Sequence, residues 1–261
     1  MPFTISHAAA VLPFARRLAH WHILSATVIG SMVPDFSVFF SPERLPRIET
    51  HSTLALLTFS LPVGLVTYWV FQRLIKTPVL EVLPDGAYQR SRPFAAAARW
   101  GSLHQWLLAA AGILVGAVTH LVWDGFTHEG ARGVRMIPAL DDTVVDVGGH
   151  VLMGYRVVQD GSSLVGLVVV CWLIGRAMYG THAGARPERR LQAPERAAWL
   201  SAYALLAVLA SAAAFVAERG PVLHLHILHS LSDIAIAALR GLALSLVAVS
   251  ICLRLRLRIP R

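Results

Sequence analysis

Charge is scarce in this sequence. Asp, Glu, Lys and Arg make up 15% of the 261 residues, against about 25% in a soluble domain. Hydrophobic residues make up 56%, and mean hydropathy is +0.59. This balance excludes an ordinary water-soluble domain and implies an all-α, polytopic membrane helix bundle. Cysteine is nearly absent. Cys171 and Cys252 both lie inside apolar runs, so they read as small packing or lipid-facing residues, not as a disulfide or a metal pair. The sequence also lacks G-x-S-x-G, a P-loop, H-E-x-x-H and G-x-G-x-x-G. Serine-hydrolase, NTPase, zincin and dinucleotide chemistry are disfavoured accordingly. No internal repeat is visible, which weakens a transporter built from duplicated halves.

The net charge of +8 does not signal nucleic acid. The basic residues sit in short loops between apolar runs and form no aromatic-interleaved patch. Anchoring beside anionic lipid headgroups accounts for them. The opening "MPFTISHAAAVLPFARR" has its charges after the short apolar stretch, and Pro13 breaks that stretch. It is expected to be retained, not cleaved as a signal peptide.

A helix needs about 20 apolar residues to cross the hydrocarbon core. Five windows qualify: roughly 53–74, 102–123, 162–179, 197–217 and 231–253. Pro62 and Gly64 predict a kink in the first. Arg240 in the fifth is a buried or snorkelling charge. The stretch 23–40, "ILSATVIGSMVPDFSVFF", is too short before Pro34 to cross, and reads as a half-buried or re-entrant helix that ends at the proline. Together these give five spanning helices plus an N-terminal amphipathic or re-entrant helix. They divide the chain into a family domain at 1–180 and a C-terminal extension at 181–261 with two spans.

The loops sort by charge. On the side that holds the N-terminus, the segments 1–52, 124–161 and 218–230 carry eight Lys and Arg residues; the opposite side carries twelve in less chain. The positive-inside rule puts the second side in the cytoplasm. His7, Asp35, His51, His120, Asp124 and His128 then all fall on the non-cytoplasmic side of the cell membrane.

The central candidate is "THLVWDGFTHEG" at 119–130. His120 and Asp124 are four apart, hence on one helical face. His128 is four further on, past Gly125, which is a helix terminator. Imidazole and carboxylate on one face suit a divalent ion, Zn²⁺ first, with Mn²⁺ or Fe as the other options. A helix-end cluster without metal explains the same spacing equally well. Asp35 after Pro34, His51 before the first span and His7 near Ser6 are each ordinary turn or cap neighbours taken singly. Their collection at one membrane face is what raises them together. Smaller candidates are His224, His226 and His229 in "HLHILHS", which read more simply as an interfacial stretch. Asp141, Asp142 and Asp146 read as a solvated loop without EF-hand spacing. Ser162 or Ser163 is expected to cap the third span, with Asp160 able to face the site.

The motifs "MPFTISHAAAVLP", "IGSMVPDF", "THS" and "GAVTHLVWDGFTHEG" resemble a family of bacterial membrane proteins of unassigned function, over roughly residues 1–180. The same skeleton is similar to the LexA-regulated inner-membrane metal-dependent hydrolases, and more distantly to zinc-dependent phospholipase C. The resemblance implies a metal site on His7, Asp35, His51, His120 and Asp124. It does not cover His128, and at Asp160 the family more often has a His.

Three readings follow. The first is a metal-dependent hydrolase of a phosphoester or lipid-linked substrate at the membrane surface, with Asp35 or Asp124 as general base. The second is a non-catalytic metal-binding sensor or structural module. The third, a metal or proton transporter, is disfavoured because the ionisable residues sit at helix ends and not at mid-membrane. Membrane lipids are the expected partners, and nucleic acid is not.

Overall fold

A chain this apolar must satisfy its own backbone hydrogen bonds, and it does so almost wholly as helix. The computed structural model describes residues 4–20, 22–37, 50–91, 102–147, 150–178, 190–219 and 227–257. The N-terminal part is a series of short pieces. The 3-10 turns Thr4–Ala10 and Leu12–Phe14 lead into α1 (Ala15–His20) and α2 (Leu24–Gly30), and a further 3-10 turn, Val33–Phe36, follows. The next helical stretch alternates types. A π segment, Leu56–Ser60, leads to α3 (Leu61–Val70), and a second, Phe71–Ile75, leads to α4 (Lys76–Val82). Then come α5 (Asp85–Ser91), α6 (Leu103–Asp124), α7 (Arg132–Met136) and α8 (Pro138–Asp141). An antiparallel hairpin, β1 (Thr143–Val147) with β2 (His150–Met153), precedes α9 (Gly154–Met178), α10 (Ala193–Arg219) and α11 (Ile227–Leu257).

Among the described residues, four helices are long and apolar enough to cross a membrane: Leu103–Asp124, Gly154–Arg176, Ala193–Val216 and Ile234–Leu257. The expected span at 53–74 is helical but interrupted, and it is not one of the four. The predicted irregularity around Pro62 takes the form of the π segment immediately before it. Proline has no N–H and crowds the preceding turn, and a widened π turn absorbs both defects.

Other expectations change in detail. The acidic stretch at 139–150, read as a loop, runs into the β-hairpin, whose β-branched valines favour strand. The third span starts at Gly154 and not near 162. Ser162, Ser163 and Asp160 therefore lie inside α9, where none can act as its N-cap. The re-entrant stretch is the short α2 plus the Val33–Phe36 turn, and residues 38–49 lie outside the described residues.

What positions the site is the packing of α2 on α6. Both helices present glycine at the crossing. A Cβ on Gly30 would stand 2.2 Å from the Ile113 carbonyl oxygen, and one on Gly116 would stand 2.1 Å from that of Thr27. Only hydrogen fits at either position, so the backbones touch. The apolar core beside this seam joins Ala26, Ile29 and Val33 to Ala55, Phe59 and Tyr68 and to Ala109 and Ile113. A separate cluster, Val82, Leu191 and Leu253, ties α4 to the C-terminal helical pair.

Candidate metal centre

The last turn of α6 carries His120 and Asp124 on one face, and both are buried, at 0% and 6% exposure. The helix ends there: Gly125 follows as its cap, and His128 sits in the turn beyond. Three other segments converge on this end. The Val33–Phe36 turn delivers Asp35, itself 2% exposed. Pro34 in the first turn pre-sets the backbone there. The residues before the first π segment deliver His51, and the Ser52 hydroxyl accepts a hydrogen bond from the Ala55 N–H at 3.2 Å, capping that start. The Thr4–Ala10 turn delivers His7.

Asp35, His51, His120 and Asp124 each offer one ligand atom, and these atoms all lie within 4.8 Å of one another. Both Nε2 atoms, of His51 and of His120, are 3.2 Å from Asp124 Oδ2 and 3.5 Å from Asp35 Oδ1. The two imidazoles thus face two carboxylates across a common centre. His7 and His128 lie on the other oxygen, Asp124 Oδ1, with His7 Nε2 and His128 Nδ1 each at 3.6 Å. His7 also stacks on His120 with ring centroids 3.8 Å apart, and meets the edge of Trp123. All six residues singled out in the sequence are therefore brought together. Four form the cluster and two flank it.

Outer contacts aim the rings. His120 Nδ1 donates to the Ser31 carbonyl oxygen at 2.8 Å. A carbonyl can only accept, so Nδ1 holds a proton and Nε2 is the nitrogen that faces the centre. His51 Nδ1 is hydrogen-bonded to the Thr50 hydroxyl at 3.0 Å, which leaves its Nε2 facing inward. His128 is held on both sides, by Thr127 at 3.1 Å and by Gln159 of α9 at 3.0 Å. Trp123 Nε1 donates to Ser162 Oγ at 3.1 Å, which locks α9 against α6 at the same level.

The electrostatics follow from this crowding. Burial holds the His7 imidazole down, to about 4, with the neighbouring His120 acting in the same direction. For His51 burial also pulls downward, but Asp124 and Asp35 outweigh it and raise the ring to about 9. Burial would raise the Asp35 carboxyl; hydrogen bonding and charge from His120 and His51 win, and it is held well below the usual range. Burial lowers His128.

A cation fits the donor set. His120 Nε2, Asp35 Oδ2 and Asp124 Oδ2 are buried and make no hydrogen bond among the described residues. An unpaired buried carboxylate oxygen is costly, and a cation at the centre would relieve it. Two imidazoles and two carboxylates, without thiolate, suit Zn²⁺, Mn²⁺ or Fe²⁺ by chemistry. The buried Asp–His–His–Asp cluster could hold a metal ion.

The remaining sequence candidates fall elsewhere. Asp160 is exposed on α9 and is not part of the cluster; its neighbour Gln159 reaches His128 instead. Asp141, Asp142 and Asp146 are exposed along the α8–β1 stretch. His224 and His226 lie outside the described residues, as does the side chain of His229. Sequence reasoning missed Ser31 and Gln159, and gave Ser162 a helix cap in place of its bond to Trp123. Ser31 acts through its backbone, which leaves no mark on residue type. Gln159 carried no signal of its own, and Ser162 had a plainer reading as a helix start.

A family profile described as "Domain of unknown function (DUF4184)" matches residues 1–251, and the chain belongs to that family. The match runs through the four-segment site and into α11. No curated protein and no solved structure matches the chain.

Proposed function

We propose that this member of the family is a membrane-embedded, metal-dependent hydrolase acting on a phosphoester or lipid-linked substrate. The single observation that carries this reading is the convergence of Asp35, His51, His120 and Asp124, with Asp35 Oδ2, His120 Nε2 and Asp124 Oδ2 buried and making no hydrogen bond among the described residues. These four residues hold the ion, Zn²⁺ first by donor type, with His7 and His128 flanking it. A bound divalent ion would supply Lewis-acid polarisation of a phosphoryl or carbonyl oxygen and an acidified water.

The chain's own residues do the rest. His120 is locked by Ser31 and keeps one nitrogen free for the ion. Asp35 and Asp124 each carry a second oxygen, and either is placed to take a proton from an attacking water as general base. The His51 side chain is 32% exposed, so the cluster is reached from that side. His128, also part-exposed, borders the same approach. Its location at the end of a spanning helix favours a substrate with a lipid tail and a polar headgroup.

The finer topology belongs to the same proposal. We read the interrupted helical stretch at 55–82 as a fifth crossing. The arginine distribution puts the site on the non-cytoplasmic face.

A second reading is a structural clamp. It is favoured by the count of four protein ligands, which is the pattern of closed structural sites. There the ion would pin the N-terminal turns to α6 without turnover. Two measurements separate the readings. Detergent-purified wild type and His120→Ala are compared for metal content by mass spectrometry. The metal-loaded wild type is then assayed on phosphodiester and phospholipid substrates. Stoichiometric metal with hydrolysis supports the first reading, metal without hydrolysis the second. Absence of metal after loading with Zn²⁺, Mn²⁺ or Fe²⁺ would sink both.

A further inference from the structure

The N-terminal segment runs along α6 away from the metal centre and then comes back. Its start lies at the level of the centre. His7 stacks on His120, and a Cβ on Gly166 of α9 would stand 3.0 Å from the Ser6 carbonyl oxygen. Farther on, Val11, Leu18 and Ile23 form one buried cluster, which packs against Leu108 near the other end of α6. The return follows α6 in register. A Cβ on Gly112 would meet Ile23 at 3.2 Å, one on Gly116 would meet the Thr27 carbonyl oxygen, and the Ser31 carbonyl oxygen reaches His120. From Leu108 to His120 the helix rises about 18 Å, more than half of the ~30 Å hydrocarbon core.

The far turn of this excursion is basic. α1 buries Leu18, while Arg16, Arg17 and His20 are exposed. His22 closes the turn in left-handed backbone, with φ 58, and the Ile23 N–H donates to the Leu18 carbonyl oxygen at 2.9 Å. Glycine meets that geometry with less strain, yet the chain places an exposed imidazole there. No Asp or Glu precedes Asp35 in the sequence. Charge left in hydrocarbon is costly, and arginine avoids the cost by extending to the headgroup layer. Leu108 lies about 8 Å along α6 from its start at Leu103. The nearest headgroups are therefore those at that end, in the leaflet opposite the metal centre.

We propose that residues 4–36 form a re-entrant loop that enters from the face of the metal centre, and that Arg16 and Arg17 bind anionic phospholipid headgroups of the opposite leaflet. His20 and His22 face the same layer. The two arginines thereby leave the side of the site, where sequence position alone put them, and join the arginine-rich side. That widens the charge asymmetry behind the orientation. The loop also ties His7, and the Ser31 carbonyl that aims His120, to a lipid contact across the membrane. The inference rests on the reading of α6 as a membrane crossing and not on hydrolysis.

The test uses the full chain with Cys171→Ser and Cys252→Ser, both native cysteines being exposed. Arg17→Cys, His20→Cys, His104→Cys and Arg132→Cys are made singly in that background, all at exposed positions. A membrane-impermeant maleimide is applied to sealed right-side-out and everted vesicles of a bacterial expression host. The His104 and Arg132 variants should react from opposite sides, and the Arg17 and His20 variants from the His104 side. Reaction of the His104 and Arg132 variants from one side would refute the crossing, and the proposal with it. With the crossing intact, reaction of the loop variants from the Arg132 side, or only after detergent, would overturn the loop alone. Arg17 and His20 report independently, so one variant that fails to fold leaves the test intact. The headgroup is tested on detergent-purified protein. Phosphatidylglycerol should raise the unfolding temperature of wild type by several degrees more than phosphatidylcholine does, and Arg16→Gln with Arg17→Gln should remove at least half of that difference. A smaller reduction, or no difference in wild type, would overturn the lipid assignment.

Discussion

Two helix pairs in this protein are built on the same steric device and end in opposite chemical states. α2 meets α6 through Gly30 and Gly116. α10 meets α11 through Gly241, where an added Cβ would stand 2.1 Å from Ser211 Oγ. In the C-terminal pair the polar groups close on one another. Ser245 donates to the Tyr203 carbonyl oxygen at 2.6 Å, Tyr203 and Ser250 share a bond of 2.8 Å, and Ser211 donates to the Ala207 carbonyl oxygen at 2.6 Å. Among the described residues, no buried side-chain polar atom of that pair lacks a hydrogen bond. At the end of the α2–α6 pair, buried Asp35 Oδ2, Asp124 Oδ2 and His120 Nε2 make no hydrogen bond among the described residues. Close helix packing is thus a common means, and what marks the α2–α6 end is ionisable groups brought together without hydrogen bonds.

The comparison can be broken most severely at the seam. Gly116→Val pushes side-chain atoms into the Thr27 carbonyl and the Ser31 amide. We expect a loss of about 3 kcal/mol or more, together with loss of bound metal. Thermal unfolding in detergent, followed by metal analysis, checks both. Unchanged stability would mean that the helices separate easily and that the close approach is not what sets the site.

The next effect is chemical and not structural. His120→Ala and Asp124→Ala should each take metal content from stoichiometric to near zero while membrane insertion persists. A chelator should lower the unfolding temperature of wild type and leave these variants where they are. At a free-metal level 100 times the dissociation constant the difference is about 2.7 kcal/mol. Full metal in both variants would rule out the four-residue cluster.

Proton competition sharpens the contrast further. In the metal-free protein His51 is raised to about 9, and a metal ligand must be deprotonated. Metal affinity should therefore rise with pH, by about tenfold per unit up to that value for one released proton. Titrations of metal at pH 6, 7 and 8 read the slope; a flat profile would exclude His51 as a protonated ligand in the free state. The smallest effect belongs to the closed pair. Ser245→Ala removes one satisfied bond at about 1 kcal/mol, and metal content should stay at the wild-type value. Metal loss there would mean that the two pairs are coupled and the contrast is false.

Much of the fold was legible because lipid imposes a simple rule. The windows near 102–123, 197–217 and 231–253 needed only length and apolarity. The window at 53–74 gave a helix, but its π interruptions depend on local crowding around Pro62, which hydropathy does not register. The start of α9 was misplaced because "QDGSSLVG" carries good capping residues that a longer helix simply runs through. In the candidate site, His120 and Asp124 could be paired by spacing. Asp35, His51 and His7 could be joined to them only by a shared membrane face and by family resemblance, since their meeting depends on how α2 lies along α6. The decisive glycines, Gly30 and Gly116, carry no side chain to announce a contact. The hairpin was hidden because its valines sit among aspartates that read as loop.

The bond from His120 to the Ser31 carbonyl has a kinetic corollary. One imidazole nitrogen is occupied by backbone from 89 positions away, and that hold does not involve an ion. The ring therefore keeps its orientation when the cluster is empty, and the energetic cost of arranging it is met during folding. Metal uptake should then be a one-step second-order process, with a rate proportional to metal concentration and no lag. Release and reloading would leave the helices where they stand.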